Sequence, residues 1–495
     1  MGDTAKKATA TPAQAEGAVP AGRERSGLEL TDQEMLALAA RAAELVVERI
    51  DRLPSEPAWR GASRADMERA LREEAPELGR PARDVLERAA REILPIASRV
   101  DHPRFFAFVP GSATWPGVIA DFLCGGYNTF QGTWLSASAP SQIELVVLDW
   151  FRAWIGYPAT ASGLFTSGGS AASLDAFVAA REAAGAPRDA TVYMSDQSHS
   201  AMSRAAMIVG VRREHVRRLP SDAAYRIDME ALARAVALDR AAGLAPIAVC
   251  GNAGTTNTGA VDPLHALADF CARERIWFHV DGAYGAFAVL TEKGGRALAG
   301  IERADSIAMD AHKWLFQPFE AGCLMVKDVR SLEAAFAVSP EYLQDAQLGG
   351  EQPNFSDRGL QLSRSFRALK VWMSIQTFGL AAFRRAVADG IDLAERAEAY
   401  VRESDVLEIA TPASLGILCF RVAPRGSGRS AEELERINRR VQARVIDSGT
   451  AMMSSTRLRG VYSLRLCILN HRTTWTDVVE TLRAIERFGL EAIAE

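Results

Sequence analysis

Cysteine is scarce in this chain, six in 495 residues, and no two cysteines form a C-x-x-C pair. Cys124, Cys250, Cys271, Cys323, Cys419 and Cys467 are scattered, mostly in apolar runs where a thiol packs as a small hydrophobe. A disulfide framework and a zinc or other metal site are therefore not expected, and a reducing compartment is. Excess charge of one sign is also missing. The 57 Lys and Arg against 62 Asp and Glu leave a net charge of -5, which gives no footprint for nucleic acid. The local exception (Arg212, Arg213, His215, Arg217, Arg218) lies in mixed charge and reads as a solvated loop or strand edge. The longest uncharged run, Phe122 to Ile143, is broken by Gly, Ser, Gln and Asn, so no membrane span is expected. No cationic start with an apolar stretch behind it opens the chain, and the expected location is the cytoplasm.

What is present is ordinary globular composition, 48% hydrophobic and 24% charged, over a length that calls for two or three domains. Residues 1–26 are rich in Ala, Thr, Pro, Gly and charge and read as a disordered tail. Thr31-Asp32-Gln33-Glu34 reads as a capping box that opens an amphipathic helix, and further helices are expected near 64–74 and 81–93. Three helices without a strand enclose little core, so 27–114 reads as a helical segment that packs on a partner subunit. From 115 to 380, helices alternate with short apolar runs: Thr191 to Met194, Pro246 to Cys250, Trp277 to Val280, Ser306 to Met309 and Cys323 to Val326. That alternation predicts an α/β domain with a mostly parallel sheet. Residues 381–495 change register and read as a smaller α+β domain.

The chemistry is carried by four segments, each expected just after a strand, where such sheets place ligands. Asp281 closes the run Ile276-Trp277-Phe278-His279-Val280, and Lys313 follows 32 positions later in Asp310-Ala311-His312-Lys313-Trp314. A carboxylate and a lysine so placed suit pyridoxal 5'-phosphate (PLP): the lysine forms the Schiff base and the carboxylate keeps the pyridinium nitrogen protonated. Thr166-Ser167-Gly168-Gly169-Ser170 leads into a helix whose first N–H groups suit a phosphate. Ser195-Asp196-Gln197-Ser198-His199 offers an imidazole for stacking and proton exchange. Gly254-Thr255-Thr256 offers hydroxyls for a ring substituent. Each of these is an ordinary turn when taken alone; the four in this order point to PLP.

With these residues in view, the chain resembles the aromatic-L-amino-acid decarboxylases, group II PLP-dependent decarboxylases of the aspartate-aminotransferase-like fold (fold type I). The resemblance runs from about residue 30 to the C-terminus. Its further carriers are His102-Pro103-Arg104-Phe105-Phe106-Ala107-Phe108, Glu144 with Asp149-Trp150, and Arg364-Ser365-Phe366-Arg367-Ala368-Leu369-Lys370. It implies that Lys313 is the Schiff-base lysine, Asp281 the pyridinium partner and His199 the stacking residue. Ala283 would lie on the other ring face, Gly169 and Ser170 on the phosphate, and His312 and Thr256 would complete the shell. It also implies decarboxylation of an aromatic L-amino acid to an arylalkylamine by a homodimer with sites at the subunit interface. An aminotransferase would need a C-terminal arginine to clamp the α-carboxylate, and Arg457, Arg459 and Arg465 stand in that region.

The chain departs from the family at three places. Asp310 replaces an asparagine that lies near the phosphate in animal enzymes, and an acid there repels a phosphate. Alignment on Trp134 puts Gly132 at a pocket phenylalanine and Phe130 at an aliphatic position. Phe108 and Ser363 join these in the implied substrate pocket, Ser363 matching the plant form that favours phenolic substrates. Finally, ungapped counting from Arg364 puts Phe355 at the loop tyrosine that returns a proton to the substrate carbon. Phenylalanine has no proton to give, and in plant relatives that exchange makes an aldehyde synthase. Amine and aldehyde products both stay open at this point.

Overall fold

The computed structural model describes residues 27–109, 111–338 and 352–494, so the tail read at 1–26 lies outside the described residues. The chain divides into two compact units. In the unit formed by 1–51 and 71–95, the expected capping box opens the helix Asp32–Arg52: Thr31 Oγ1 accepts the Glu34 N–H, and the Glu34 carboxylate accepts the Thr31 N–H. Arg41 reaches Glu87 at 2.6 Å and Arg88 reaches Glu73 at 2.8 Å. The helix read at 81–93 is α only over Ala82–Arg88 and continues as a wider π turn over Ala89–Ile93. No residue of Asp32–Arg52 or Ala82–Arg88 is buried, although the sequence puts Leu36, Val47 and Val85 there.

The second unit holds both sheets. The strands are β1 (Phe105–Phe106), β2 (Ser162–Thr166), β3 (Ala190–Ser195), β4 (Val216–Leu219), β5 (Ala245–Asn252), β6 (Trp277–Asp281), β7 (Ser306–Asp310), β8 (Gly322–Val326), β9 (Leu407–Ser414), β10 (Ile417–Val422), β11 (Met452–Leu458) and β12 (Val461–Cys467). The large sheet has the order β2-β8-β7-β6-β5-β3-β4, and β8 alone runs against its neighbours. This is the mostly parallel α/β architecture expected of fold type I. Strands β3, β7 and β8 are buried along their whole length, which is why they read as mainly apolar runs. The helix Gly169–Ala183 presents Ala172, Ala176, Ala179 and Ala180 as buried small residues, and so packs close to the sheet.

Of the basic cluster, Arg217 and Arg218 lie on β4, an edge strand, and Arg212, Arg213 and His215 in the turn before it; Arg217 pairs with the buried Asp239, which also accepts the Tyr193 hydroxyl. The small sheet has the order β1-β11-β12-β10-β9. Its outermost strand β1 is only two residues long, paired parallel to β11, and brings Phe106 into the small sheet's core. Among the described residues, no helix is long and apolar enough to cross a membrane.

Candidate active site

The carboxyl ends of β2, β3, β5, β6 and β7 open onto one cavity of about 650 Å³. Gly169, Ser170, His199, Thr256, Asp281, Ala283, His312 and Lys313 all line it, with Phe108 on the same surface. Each arrives by a short local device. Lys313 stands on the single helical turn Ala311–Trp314 that starts where β7 stops. Asp281 is the last residue of β6, and its Oδ1 accepts the Ala283 N–H at 3.2 Å. His199 caps the helix Ser200–Ile208: its Nδ1 accepts the Ala201 N–H at 3.2 Å, so the ring proton sits on Nε2. Gly169 opens its helix where a side chain has no room, since a Cβ would lie 2.8 Å from the Ala283 Cβ and 3.2 Å from Asp310 Oδ2.

Asp310 has a partner that the sequence did not disclose. It is buried, and its Oδ2 lies 3.0 Å from Lys313 Nζ and 3.6 Å from His312 Nε2, while Oδ1 has no partner. Burial pulls the Lys313 amine down, but Asp310 and then Asp281 outweigh it, and the pKa stands above the ordinary lysine value. Burial pushes the Asp281 carboxyl up, against the pull of Lys313, the Ala283 N–H and His199. His312 is held below the usual histidine range by burial, against Asp310, and its Nδ1 accepts the Ala321 N–H at 3.1 Å.

Two buried polar residues at the cavity went unread in the sequence, Asn252 in its lining and Asp262 behind it. Asn252 at the end of β5 donates to Ser198 Oγ at 3.0 Å and to Asp262 Oδ2 at 2.7 Å, tying the His199 turn to the sheet. Burial pushes Asp262 up to about 6 while the N–H groups of Ile227 and Asn252 hold it down. Nothing in the spacing of these residues marks them.

Phe130, Gly132, Trp134, Phe355 and Ser363 do not line the cavity of their own chain. Several of them gather elsewhere: Gly132 O accepts the Ser356 N–H at 2.9 Å and the Trp134 N–H donates to Asn354 Oδ1 at 2.9 Å. Phe355 is fully buried, with the guanidinium carbons of Arg364 and Arg358 at 4.8 and 5.4 Å from its ring centre. Of the C-terminal arginines, Arg457 pairs with Glu435 and Arg459 bonds the Asp222 carbonyl, and neither lines the cavity.

The cavity fits PLP by size and by chemistry. It offers an amine, a carboxylate at a strand end, an imidazole, and a glycine-rich helix start whose first N–H groups precede the helix's own bonds. Comparisons with known proteins agree. Residues 65–423 match the model of the pyridoxal-dependent decarboxylase conserved domain. An aromatic-L-amino-acid decarboxylase of Bacillus atrophaeus is 40% identical over 94% of this chain and 97% of its own. A phenylacetaldehyde synthase of Petunia hybrida is 32% identical over 81% of this chain and 83% of its own. The crystal structure of Oryza sativa TDC with PLP and tryptamine superposes with a TM-score of 0.90 at 28% identity, over 94% of this chain and 99% of that one.

Proposed function

The chain belongs to the pyridoxal-dependent decarboxylases, and on that premise we propose that it converts an aromatic L-amino acid to the arylalkylamine and CO2. It is a PLP-dependent carboxy-lyase. The observation that carries the reading is the convergence of Lys313, Asp281 and His199 on one cavity with the Gly169–Ser170 helix start. Bound PLP supplies an electron sink for the pair left when the bond from Cα to the carboxylate breaks. In this reading Lys313 would be the point of covalent attachment, and its Nζ, freed from Asp310, would exchange protons with the substrate amine. Asp281 would keep a proton on the ring nitrogen, its charge supported by Lys313 and the Ala283 N–H. His199 would cover one ring face and Ala283 the other, and the N–H groups of Gly169 and Ser170 would hold the phosphate. Thr256 and His312 complete the lining.

The same reading includes a homodimer with the active site at the subunit interface. Phe122, Tyr127 and Leu135 stand exposed, the N-terminal helices bury none of their apolar residues, and the candidate pocket residues Phe130, Trp134 and Ser363 keep exposed surface outside their own chain's cavity. A partner subunit satisfies all three. The cytoplasmic location belongs to the proposal as well, supported by six free cysteines, five of them buried.

The test is a panel of phenylalanine, tyrosine, dopa and tryptophan scored by product mass and CO2. One amine per CO2 from at least one of them is expected, and no CO2 from any defeats the reading. A second reading is an aromatic acetaldehyde synthase, which takes amino acid, O2 and water to aldehyde, CO2, ammonia and H2O2. The likeness to the phenylacetaldehyde synthase of Petunia hybrida supports it, whereas Phe355, whose place in the sequence suggested it, is buried outside the cavity; peroxide equal to CO2 in the same panel would establish it.

A further inference from the structure

Arg465 on β12 is buried, 3% exposed, yet it has no carboxylate partner among the described residues. Its guanidinium serves the backbone around the cavity instead. Nη1 donates to the Phe108 carbonyl at 2.5 Å and to Ser454 Oγ at 3.2 Å, and Nε donates to the Asn257 carbonyl at 3.1 Å. Ser454 Oγ in turn accepts the Phe108 N–H at 3.3 Å, so both polar backbone groups of Phe108 are held by this pair. Phe108 needs the holding: its φ is +54°, the left-handed region that a phenylalanine rarely adopts unaided. The residue is 61% exposed and lines the cavity. The second carbonyl that Arg465 holds belongs to Asn257, next to Thr256, and the Asn257 side chain donates to Gln197 in the turn before His199. One buried cation thus joins the Phe108 edge of the cavity to the Thr256 edge.

We propose that Arg465 is a positioning residue for substrate recognition: it locks Phe108 in its left-handed conformation, and the locked ring sets which aromatic side chain the cavity accepts. The inference rests on the reading of this cavity as the decarboxylation site. Arg465 itself does not line the cavity, so it acts through Phe108 and touches no reacting atom.

The experiment compares PLP-loaded wild type with Arg465→Lys, Arg465→Met, Ser454→Ala, Phe108→Gly and the double variant Phe108→Gly with Arg465→Met. Readouts are KM, kcat, the ratio of kcat/KM between tyrosine and tryptophan, and the visible absorbance of the bound cofactor. Arg465→Met should raise KM about tenfold and pull the substrate ratio towards one, with kcat within about threefold and the absorbance unchanged. Arg465→Lys, which keeps one donor, should fall between. In the Phe108→Gly background, Arg465→Met should change KM by less than about twofold, because glycine adopts the left-handed region unaided and has no ring to place. Ser454→Ala removes the acceptor of the Phe108 N–H without removing a buried charge, so it decides the matter if Arg465→Met fails to fold. Its KM should rise about threefold with the same shift in substrate ratio. A KM and substrate ratio within twofold of wild type in the folded variants overturns the proposal, as do effects that simply multiply in the double variant. A wild type that loads PLP but releases no CO2 from any aromatic amino acid defeats the underlying reading instead, before any variant is compared.

Discussion

Replacing Glu144 by glutamine removes one partner of the most enclosed ion pair among the described residues. Arg364 Nη2 lies 2.6 Å from Glu144 Oε1, and the two side chains are 1% and 0% exposed. The same oxygen accepts the Phe165 N–H at 2.8 Å, while Arg364 also donates to the carbonyls of Phe165 at 2.9 Å and Gln131 at 3.2 Å. The pair therefore fastens the 354–364 segment, with Phe355 under the Arg364 guanidinium, to β2 just before the Gly169 turn. Glutamine keeps the shape and leaves the Arg364 charge buried without a counter-charge, a change that costs about 3–5 kcal/mol. Unfolding entropy of about 2.1 cal/mol/K per residue makes one degree worth about 1 kcal/mol in a chain of 495 residues. Scanning calorimetry of the cofactor-free protein should thus find Tm about 3–5 °C lower in Glu144→Gln. A Tm within one degree of wild type would refute the reasoning, because it would mean that this charge is not desolvated.

Three further outcomes follow from the site and its surroundings. Asp281→Asn should fold normally and lower kcat about 10²- to 10³-fold, the loss expected for one positioned electrostatic group, in a CO2-release assay; activity within threefold of wild type would remove Asp281 from the chemistry. Asp310→Asn removes the group that most raises the Lys313 pKa, so the neutral amine becomes available at lower pH. The pH midpoint for appearance of the cofactor band should fall, and an unmoved midpoint would contradict the ion pair. His279 is fully buried between Ser306 and Ser173, and burial pulls it down to about 3. The unfolded chain therefore binds a proton that the folded chain refuses, and stability present above about pH 6.5 is lost as pH falls towards 3. Urea titrations should show His279→Gln losing less stability than wild type between pH 6.5 and 4, and equal losses would deny the effect.

Strands whose two faces are covered announced themselves. Trp277 to Val280 and Ser306 to Met309 are mostly apolar, their polar members His279 and Ser306 bonding each other, and they delivered Asp281 and Lys313 to adjacent strand ends. β4 is legible only as a basic cluster, since an edge strand tolerates Arg217 and Arg218 while its neighbours do not. β1 is two residues long and gains its order from β11, some 350 positions away, so no local pattern could reveal it. The left-handed Phe108 and the unpaired Arg465 are of the same kind: both make sense only once the two sheets are side by side. The candidate pocket divided for a similar reason. Residues reaching the cavity from strand ends followed from order along the chain. Phe130, Gly132, Trp134, Phe355 and Ser363 came from alignment alone, and in one chain they are not in the cavity lining.

The central claim is that Lys313 carries the cofactor that breaks the carboxylate bond, and the visible spectrum of the purified protein tests it most directly. Wild type reconstituted with PLP should show the band of a cofactor joined to a lysine and should release CO2 from an aromatic amino acid. Lys313→Ala should keep its fold and lose both. A protein that stays colourless after PLP is added, or a Lys313→Ala variant that keeps the band and the turnover, would contradict the account.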